Sequence, residues 1–375
     1  MMQRTPSVEG ASGVGAPGLQ SRRRMLLALT RVWPWAFLIV LLVFFSATGV
    51  GFFTLRNSQN ILVAITPVLL MGLGQTMVII AAGIDLSVGW VMGLSSVASA
   101  IVIRDLTATG AWAPFPAIVL GALAGVAIAA FVGLANGTIV AKLHVPAFIV
   151  TLGTSFVARG AAYLLSGGNV VSGQPPAVRN FGNDALMYLV RGQGGGLYFF
   201  HKPEVVGAQL RMMERILPWP VVVTAITVAI FIFVLRKTQF GRHVYAVGGN
   251  REAAVRAGIP VDRHTIVLYT LSAATAGLAG VLNTARFSGG SAIAGDPLLL
   301  PSIAAVIIGG VSLFGGKGTV LGTVVGALII AVLQTGLVML AVQPFWQFVV
   351  VGIVVILAVL MDQMRDLVLG RAEGT

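Results

Sequence analysis

Apolar side chains run through this sequence in long blocks separated by short polar segments. Ten such blocks can be drawn, at residues 34–55, 61–82, 86–104, 116–135, 146–167, 219–235, 265–284, 298–313, 319–341 and 345–361. A helical run of about 20 apolar residues crosses the roughly 30 Å hydrocarbon core of a bilayer, and a helix satisfies its own backbone there. The pattern predicts an all-α, polytopic membrane protein of about 10 transmembrane helices over residues 31–365. Residues 1–30, which open rich in Gly, Ser, Pro and Gln, read as a disordered tail, and 366–375 as a second tail.

Composition supports lipid as the solvent. Of 375 residues, 57% are hydrophobic and 10% charged, with a mean hydropathy of +0.94, whereas a soluble domain carries about 25% charged residues. No soluble enzyme domain is left over between the blocks. Cysteine is absent, which excludes disulfides, thiolate metal sites and a cysteine nucleophile. His144, His201, His243 and His264 lack the spacing of a metal pair, so no metal site is expected.

The net charge of +12 does not point to nucleic acid, because the basic residues sit between apolar blocks and not on one stripe. Their distribution reports topology. An even number of crossings puts both termini on one side, and that side holds 15 of the 24 Lys and Arg residues, Arg22, Arg23, Arg24, Arg236 and Lys237 among them. Eight fall on the other side: Arg56, Arg104, Arg179, Arg191, Lys202, Arg211, Arg215 and Arg286. The excess predicts cytoplasmic termini.

Two connections exceed what a helical hairpin needs. The outer one, 168–218, holds Gly-rich turns and an amphipathic helix with Val206, Leu210, Met213 and Leu217 on one face, suited to lie at the interface or to dock a partner. The cytoplasmic one, 236–264, contains a short helix marked at both ends. Asn250 is its N-cap, Glu252 and Arg256 form an i, i+4 pair, Gly258 suits a left-handed C-terminal position, and Pro260 prevents continuation. So short a helix is unstable alone and needs something to pack against. Ala254, small and central, is expected to face a partner.

The run Glu252-Ala253-Ala254-x-x-x-Gly258 resembles the Glu-Ala-Ala-x-x-x-Gly loop of ATP-binding-cassette importer permeases. GIDLSVG at 83–89, NG at 136–137, TLGT followed by Arg159-Gly160, and IGGVSLFGGKGTVLGT at 308–323 narrow the resemblance to monosaccharide permeases of the ribose and xylose type, over about residues 60–362. Two features differ from that family: Gly258-Ile259-Pro260 lacks the longer Ile and Leu-Pro continuation, and loop 168–218 is longer.

The resemblance implies a non-enzymatic permease subunit that forms the translocation pathway for a monosaccharide delivered by an extracytoplasmic binding protein. Its partners would be a separate ATPase subunit and a second permease copy or paralogue, in the bacterial inner membrane. Asn250, Glu252, Ala253, Ala254 and Gly258 would couple it to the ATPase. No cofactor is expected on this chain, ATP being hydrolysed by the partner. The stretch 310–318 is not a phosphate loop, since Val311 stands six before Lys317 where Gly is required and Gly318 stands where Ser or Thr would hold magnesium.

Asp85 is the sharpest single feature. A carboxylate between Gly83 and Gly89 in an apolar run is interior, paired or wet. The flanking glycines predict that one helix breaks here and that Asp85 caps the next, accepting backbone hydrogen bonds from Ser87 and Val88. Contact with the transported solute and a hinge are the other roles open to it. Region 307–318 is Gly-broken in the same way, and paired broken helices point to two pseudo-repeated halves around the pathway. Gln75, Asp85, Ser87, Asn136, Thr154 and Asn283 are the candidates for lining that pathway, with interhelical hydrogen bonding as the competing use. Arg159 is expected to snorkel toward the outer interface.

Other classes fit less well. An ion-coupled secondary transporter would share the crossings and the breaks, but no second carboxylate accompanies Asp85 at its depth. An intramembrane enzyme finds no paired acids, no HExxH and no Ser-His-Asp set. An importer permease for another small polar solute keeps every feature above.

Overall fold

The computed structural model describes residues 17–110, 112–192, 195–204 and 212–370, with side chains from Trp33 onward except at 344, 355, 358 and 361–370. Helices α1 Pro17–Thr48, α2 Leu55–Ile80, α3 Val88–Ala108, α4 Pro114–Lys142 and α5 Ala147–Ser166 come first. A mixed segment follows, with α6 Pro176–Asn183 and strands β1 Met187–Val190, β2 Gly196–Phe199 and β3 Met213–Arg215. The chain continues through α7 Trp219–Lys237, α8 Gln239–Gly249, α9 Arg251–Arg256, α10 Val261–Phe287, α11 Leu299–Ile308, α12 Val320–Met339 and α13 Pro344–Gly370.

Among the described residues, 7 helices are long and apolar enough to cross a membrane: α2, α3, α4, α5, α7, α10 and α12. The first and last expected spans fall in α1 and α13, whose described apolar stretches are the shorter Trp33–Thr48 and Phe345–Val354. The expected span 298–313 is not a single long helix, although the chain there runs from the Phe287 end of α10 to Gly316 beside α8. Helix α11 has 10 residues, which is about 15 Å of rise against a core of about 30 Å, and the chain then turns at Gly309 and Gly310. Helix α1 starts inside the stretch expected to be a disordered tail, and α13 runs into the second one.

The mixed segment corrects the all-α expectation. β1 pairs antiparallel with β2 and with β3, in the order β2-β1-β3. The described part of the expected amphipathic helix is strand at Met213–Arg215, while Val206 and Leu210 lie outside the described residues. Alternate residues of β1, Tyr188 and Val190, are buried, and the Tyr188 hydroxyl accepts the Ala185 N–H at 2.8 Å.

Helix α2 forms the centre, almost wholly buried and packed against α10, α11 and α12. Pro67 interrupts it, and a proline leaves the carbonyl four residues earlier without its helical donor. The Thr66 hydroxyl donates to that carbonyl, Val63 O, at 2.9 Å, so no polar group is stranded. Helix α4 meets α10 and α3 along a repeat of small residues: Ala117, Gly121, Gly125, Ala129, Gly133, Gly137 and Ala141, spaced by four and all buried. Helices in lipid gain little from hydrophobic association, so contact depends on close van der Waals approach. A Cβ at Gly133 would lie 2.3 Å from the Tyr269 carbonyl oxygen, so the two backbones touch there. The opposite face of α4 exposes Phe115, Leu123 and Phe131, as a lipid-facing surface does.

Candidate functional site

Helix α2 stops at Ile80 and α3 begins at Val88, and the seven intervening residues re-enter the bundle. The turn is tight: Gly83 N–H donates to Val78 O at 2.9 Å, and Ala82 is held at φ 61. A side chain at Gly83 would meet the Tyr269 hydroxyl at 2.7 Å. This packing brings Asp85 to zero exposure.

Both oxygens of the carboxylate are hydrogen-bonded. Oδ1 accepts the Ser87 N–H at 3.0 Å and the Ser87 hydroxyl at 2.6 Å, and Oδ2 accepts the Ser272 hydroxyl of α10 at 2.8 Å. The expected cap is therefore half right. Ser87, not Asp85, occupies the N-cap position of α3, and no bond comes from Val88. Asp85 instead closes the turn before the cap and spends its second oxygen on a distant helix.

Four of the six pathway candidates meet here. Asn136 Nδ2 donates to Ser87 Oγ at 3.0 Å, and the Gln75 amide donates to the Asp85 carbonyl. Gln75, Asp85, Ser87, Asn136 and Ser272 are all at 0% exposure, so they form an internal tie among α2, α3, α4 and α10. Thr154 does not join it. Half-buried on α5, it is replaced by Thr151 one turn earlier, whose hydroxyl points at Ile84 O at 3.4 Å. Ser272, Tyr269 and Thr151 escape a reading of the sequence because single hydroxyls in apolar helices are common; only their convergence on 83–87 distinguishes them. Arg159 does not reach out to water alone, since its guanidinium lies 4.7 Å above the Trp90 ring and 5.9 Å from that of Tyr163.

Two cavities flank this tie along the bundle. One, of about 280 Å³, lies toward the α8–α9 corner and is lined by Ala82, Gly83, His144, Arg251 and Tyr269. Two of these, Ala82 and His144, are non-glycine residues at positive φ, a strain that concentrates where function needs an over-determined backbone. The other, of about 300 Å³, lies toward the opposite end and is lined by Thr66, Pro67, Asn283, Arg286 and Pro297. Asn283 thus faces a separate space from the Asp85 cluster.

The α8–α9 corner has the caps that the sequence suggested. Asn250 Oδ1 accepts the Ala253 N–H at 2.9 Å, Glu252 and Arg256 approach to 3.6 Å, and Gly258 adopts φ 77. Ala254 does not face outward. It is 4% exposed and packs with Val247, Ile259 and Val261 of its own chain, which is what holds so short a helix in place. The outward surface includes Arg251, Glu252, Ala253, Val255 and Arg256, with Val255 57% exposed. Helix α8 in turn touches both breaks. Gly248 lies against the Ile80 carbonyl, which also accepts the Gly316 N–H at 2.8 Å, and the Tyr245 hydroxyl donates to Gly318 O at 2.8 Å. His243 and His264, 21 residues apart, are hydrogen-bonded at 3.0 Å beside this corner, a pairing that their sequence spacing conceals.

A polytopic bundle of apolar helices, broken beside a buried polar tie and carrying a capped helical knob at one end, defines a membrane transport component. Residues 57–359 match the family described as Branched-chain amino acid transport system / permease component, and the chain belongs to that family. It is similar to the fructose import permease protein of Rhizobium meliloti, at 34% identity over 92% of this chain and 88% of that one. It is 35% identical to the xylose transport system permease protein of Haemophilus influenzae over 86% of this chain and 93% of that one. It is also 35% identical to the ribose import permease protein of Escherichia coli K12, over 88% of this chain and 92% of that one. No solved structure matches the chain. The protein is a multi-pass membrane permease and not an enzyme.

Proposed function

We propose that this chain is the membrane-spanning subunit of an ATP-driven importer for a monosaccharide. The reading rests chiefly on relatives named for fructose, xylose and ribose, each matched over most of both chains. In this reading a separate ATPase seats the α9 knob, an extracytoplasmic binding protein delivers the sugar to the opposite end, and two permease copies or paralogues enclose the pathway. Both termini lie in the cytoplasm of a bacterial inner membrane, where the basic excess falls. ATP is bound by the partner and not by this chain.

The geometry supports a division of labour. Val255 and its neighbours offer the docking surface, and Ala254 fixes the knob onto Val247 and Val261. Displacement of the knob would pass through α8 to Ile80 and Gly316, and so to the two breaks. The Asp85 tie then acts as the rigid anchor of the first break and not as a sugar contact, since every member is fully buried. Asn283 and the cavity beside Pro67 are better placed to meet solute. The test is reconstitution: vesicles containing this chain, its ATPase and its binding protein accumulate labelled ribose, xylose or fructose only when ATP is supplied. Uptake by the chain alone down an ion gradient would establish a secondary transporter instead.

A further inference from the structure

The basic residues at the end opposite the α8–α9 corner run against the overall charge bias, and the structure accounts for them unevenly. Arg104 pairs with Asp105 at 2.8 Å and Arg191 with Glu214 at 3.3 Å, while Arg211 lies outside the described residues. The remaining five, Arg56, Arg179, Lys202, Arg215 and Arg286, line one cavity of about 820 Å³. Asp184 is the single acid of its lining, and none of the five cations has an ion-pair partner among the described residues.

Four elements, α2, α6, β3 and α10, and the loop after β2 supply these cations, so the gathering is a property of the fold. Gly182 lets α6 lie directly on α10, where a Cβ would stand 2.2 Å from the Ala285 carbonyl. Asn183 Nδ2 donates to Arg286 O at 2.9 Å, and the Arg215 guanidinium donates to Asn183 O. Cations held on one concave wall repel one another and focus a positive field into the space between them. An anion relieves that repulsion.

We propose that this basin is an oxyanion site that takes a sugar-sized molecule carrying a carboxylate or phosphate group. Guanidinium forks match both groups bidentately, and Asn180 and Ser288 on the same wall offer hydrogen bonds to hydroxyls. The volume lies within the roughly 300–1,000 Å³ typical of small-molecule pockets, and a concave wall suits a small anion better than the flat rim of a protein partner. Half-buried Arg286 also lines the cavity with Asn283 and Pro67, so an anion held in the basin stands at the mouth of that inner space. The inference goes beyond the import reading and does not depend on which sugar the pathway carries.

The test is binding to the purified full-length chain in phosphatidylcholine nanodiscs at low salt, titrated with glucuronate, glucose and inorganic phosphate by calorimetry. Glucuronate and phosphate bind and glucose does not. Combining Arg56→Gln with Arg286→Gln weakens both anions by roughly tenfold or more. Arg179→Gln with Lys202→Gln, at exposed positions, gives the same direction should the first pair fail to assemble. Equal binding of glucose and glucuronate, or unchanged affinity in an assembled variant, overturns the proposal. So does an absence of binding by either anion combined with a stabilisation by phosphatidylglycerol discs that the variants abolish, which assigns the basin to a lipid headgroup. A basin needed only for capture of the binding protein likewise overturns it. Transport is not required, so failure of monosaccharide uptake and failure of anion binding are separate results.

Discussion

The Ser272 hydroxyl donates to Asp85 Oδ2 across 2.8 Å, tying the loop between α2 and α3 to the middle of α10, 187 residues away along the chain. A carboxylate at this depth is costly unless its acceptor sites are filled. Here the two serine hydroxyls and one backbone N–H give three hydrogen bonds, with at least one on each oxygen.

Asp85→Asn should be tolerated. The amide oxygen can still take the Ser87 donors, and the amide nitrogen can face Ser272, whose hydroxyl then accepts. Asp85→Ala leaves the Ser87 N–H buried without an acceptor and should cost about 1–3 kcal/mol. Melting temperature in detergent and ATP-driven uptake check both. Loss of uptake in the Asn variant at normal stability would falsify the anchor role and make the charge itself functional.

The small-residue repeat on α4 makes a packing prediction. Gly133→Ala places a Cβ 2.3 Å from the Tyr269 carbonyl, and backbone cannot yield as a side chain can. The α4–α10 contact should open at a cost of about 1–3 kcal/mol. Gly153→Ala on α5, where a Cβ meets nothing within 4 Å, is the control and should melt as wild type. Equal melting of the two variants would remove the argument.

Docking and integrity separate at the knob. Val255→Asp changes an exposed side chain, so the chain should fold and insert normally yet co-purify with its ATPase at least roughly tenfold less well. Ala254→Arg instead buries a charge against Val247 and Val261 and should unfold the corner itself. Limited proteolysis of residues 236–264 beside a pull-down distinguishes the two. Full ATPase association by Val255→Asp would leave this surface without a coupling role.

Gly258 at φ 77 predicts a backbone effect. Nothing lies within 4 Å of a Cβ there, so Gly258→Val suffers only from its conformation, at about 1–3 kcal/mol for a branched residue in the left-handed region. Gly258→Asn, which tolerates that region, should retain coupling. ATP-driven uptake of the two variants decides it.

Tyr188 carries the pH prediction. Burial, aided by nearby Asp184, pushes its phenol above the ordinary 10.0. The folded state therefore holds the proton more tightly than the unfolded state. The β-sheet is fully stable below about pH 10 and loses stability as pH rises through the folded value. Hydrogen exchange at 185–190 should accelerate on moving from neutral to strongly alkaline pH beyond the intrinsic rate change. Tyr188→Phe should abolish that excess while costing about 1–3 kcal/mol at neutral pH, because the Ala185 N–H loses its acceptor.

The apolar blocks, the caps of α9 and the break beside Asp85 were legible in the sequence because each is local. Helix length, N-cap chemistry and the freedom of glycine act over a few residues, and lipid leaves the backbone few alternatives. The four-residue spacing of Gly121, Gly125, Ala129, Gly133 and Gly137 was equally present in the sequence, as the mark of a close helix contact. What the sequence left open depends on contacts between distant segments. That Asp85 is held by Ser272, that Ala254 faces inward, and that α11 is only 10 residues long cannot be read from residue types. A serine, an alanine and an apolar run each suit several environments, and the surrounding helices choose among them. The same holds for the five cations of the basin. As a sequence they are an exception to a topological rule, and only the packing of α6 on α10 and the sheet beside them places their charges around one space.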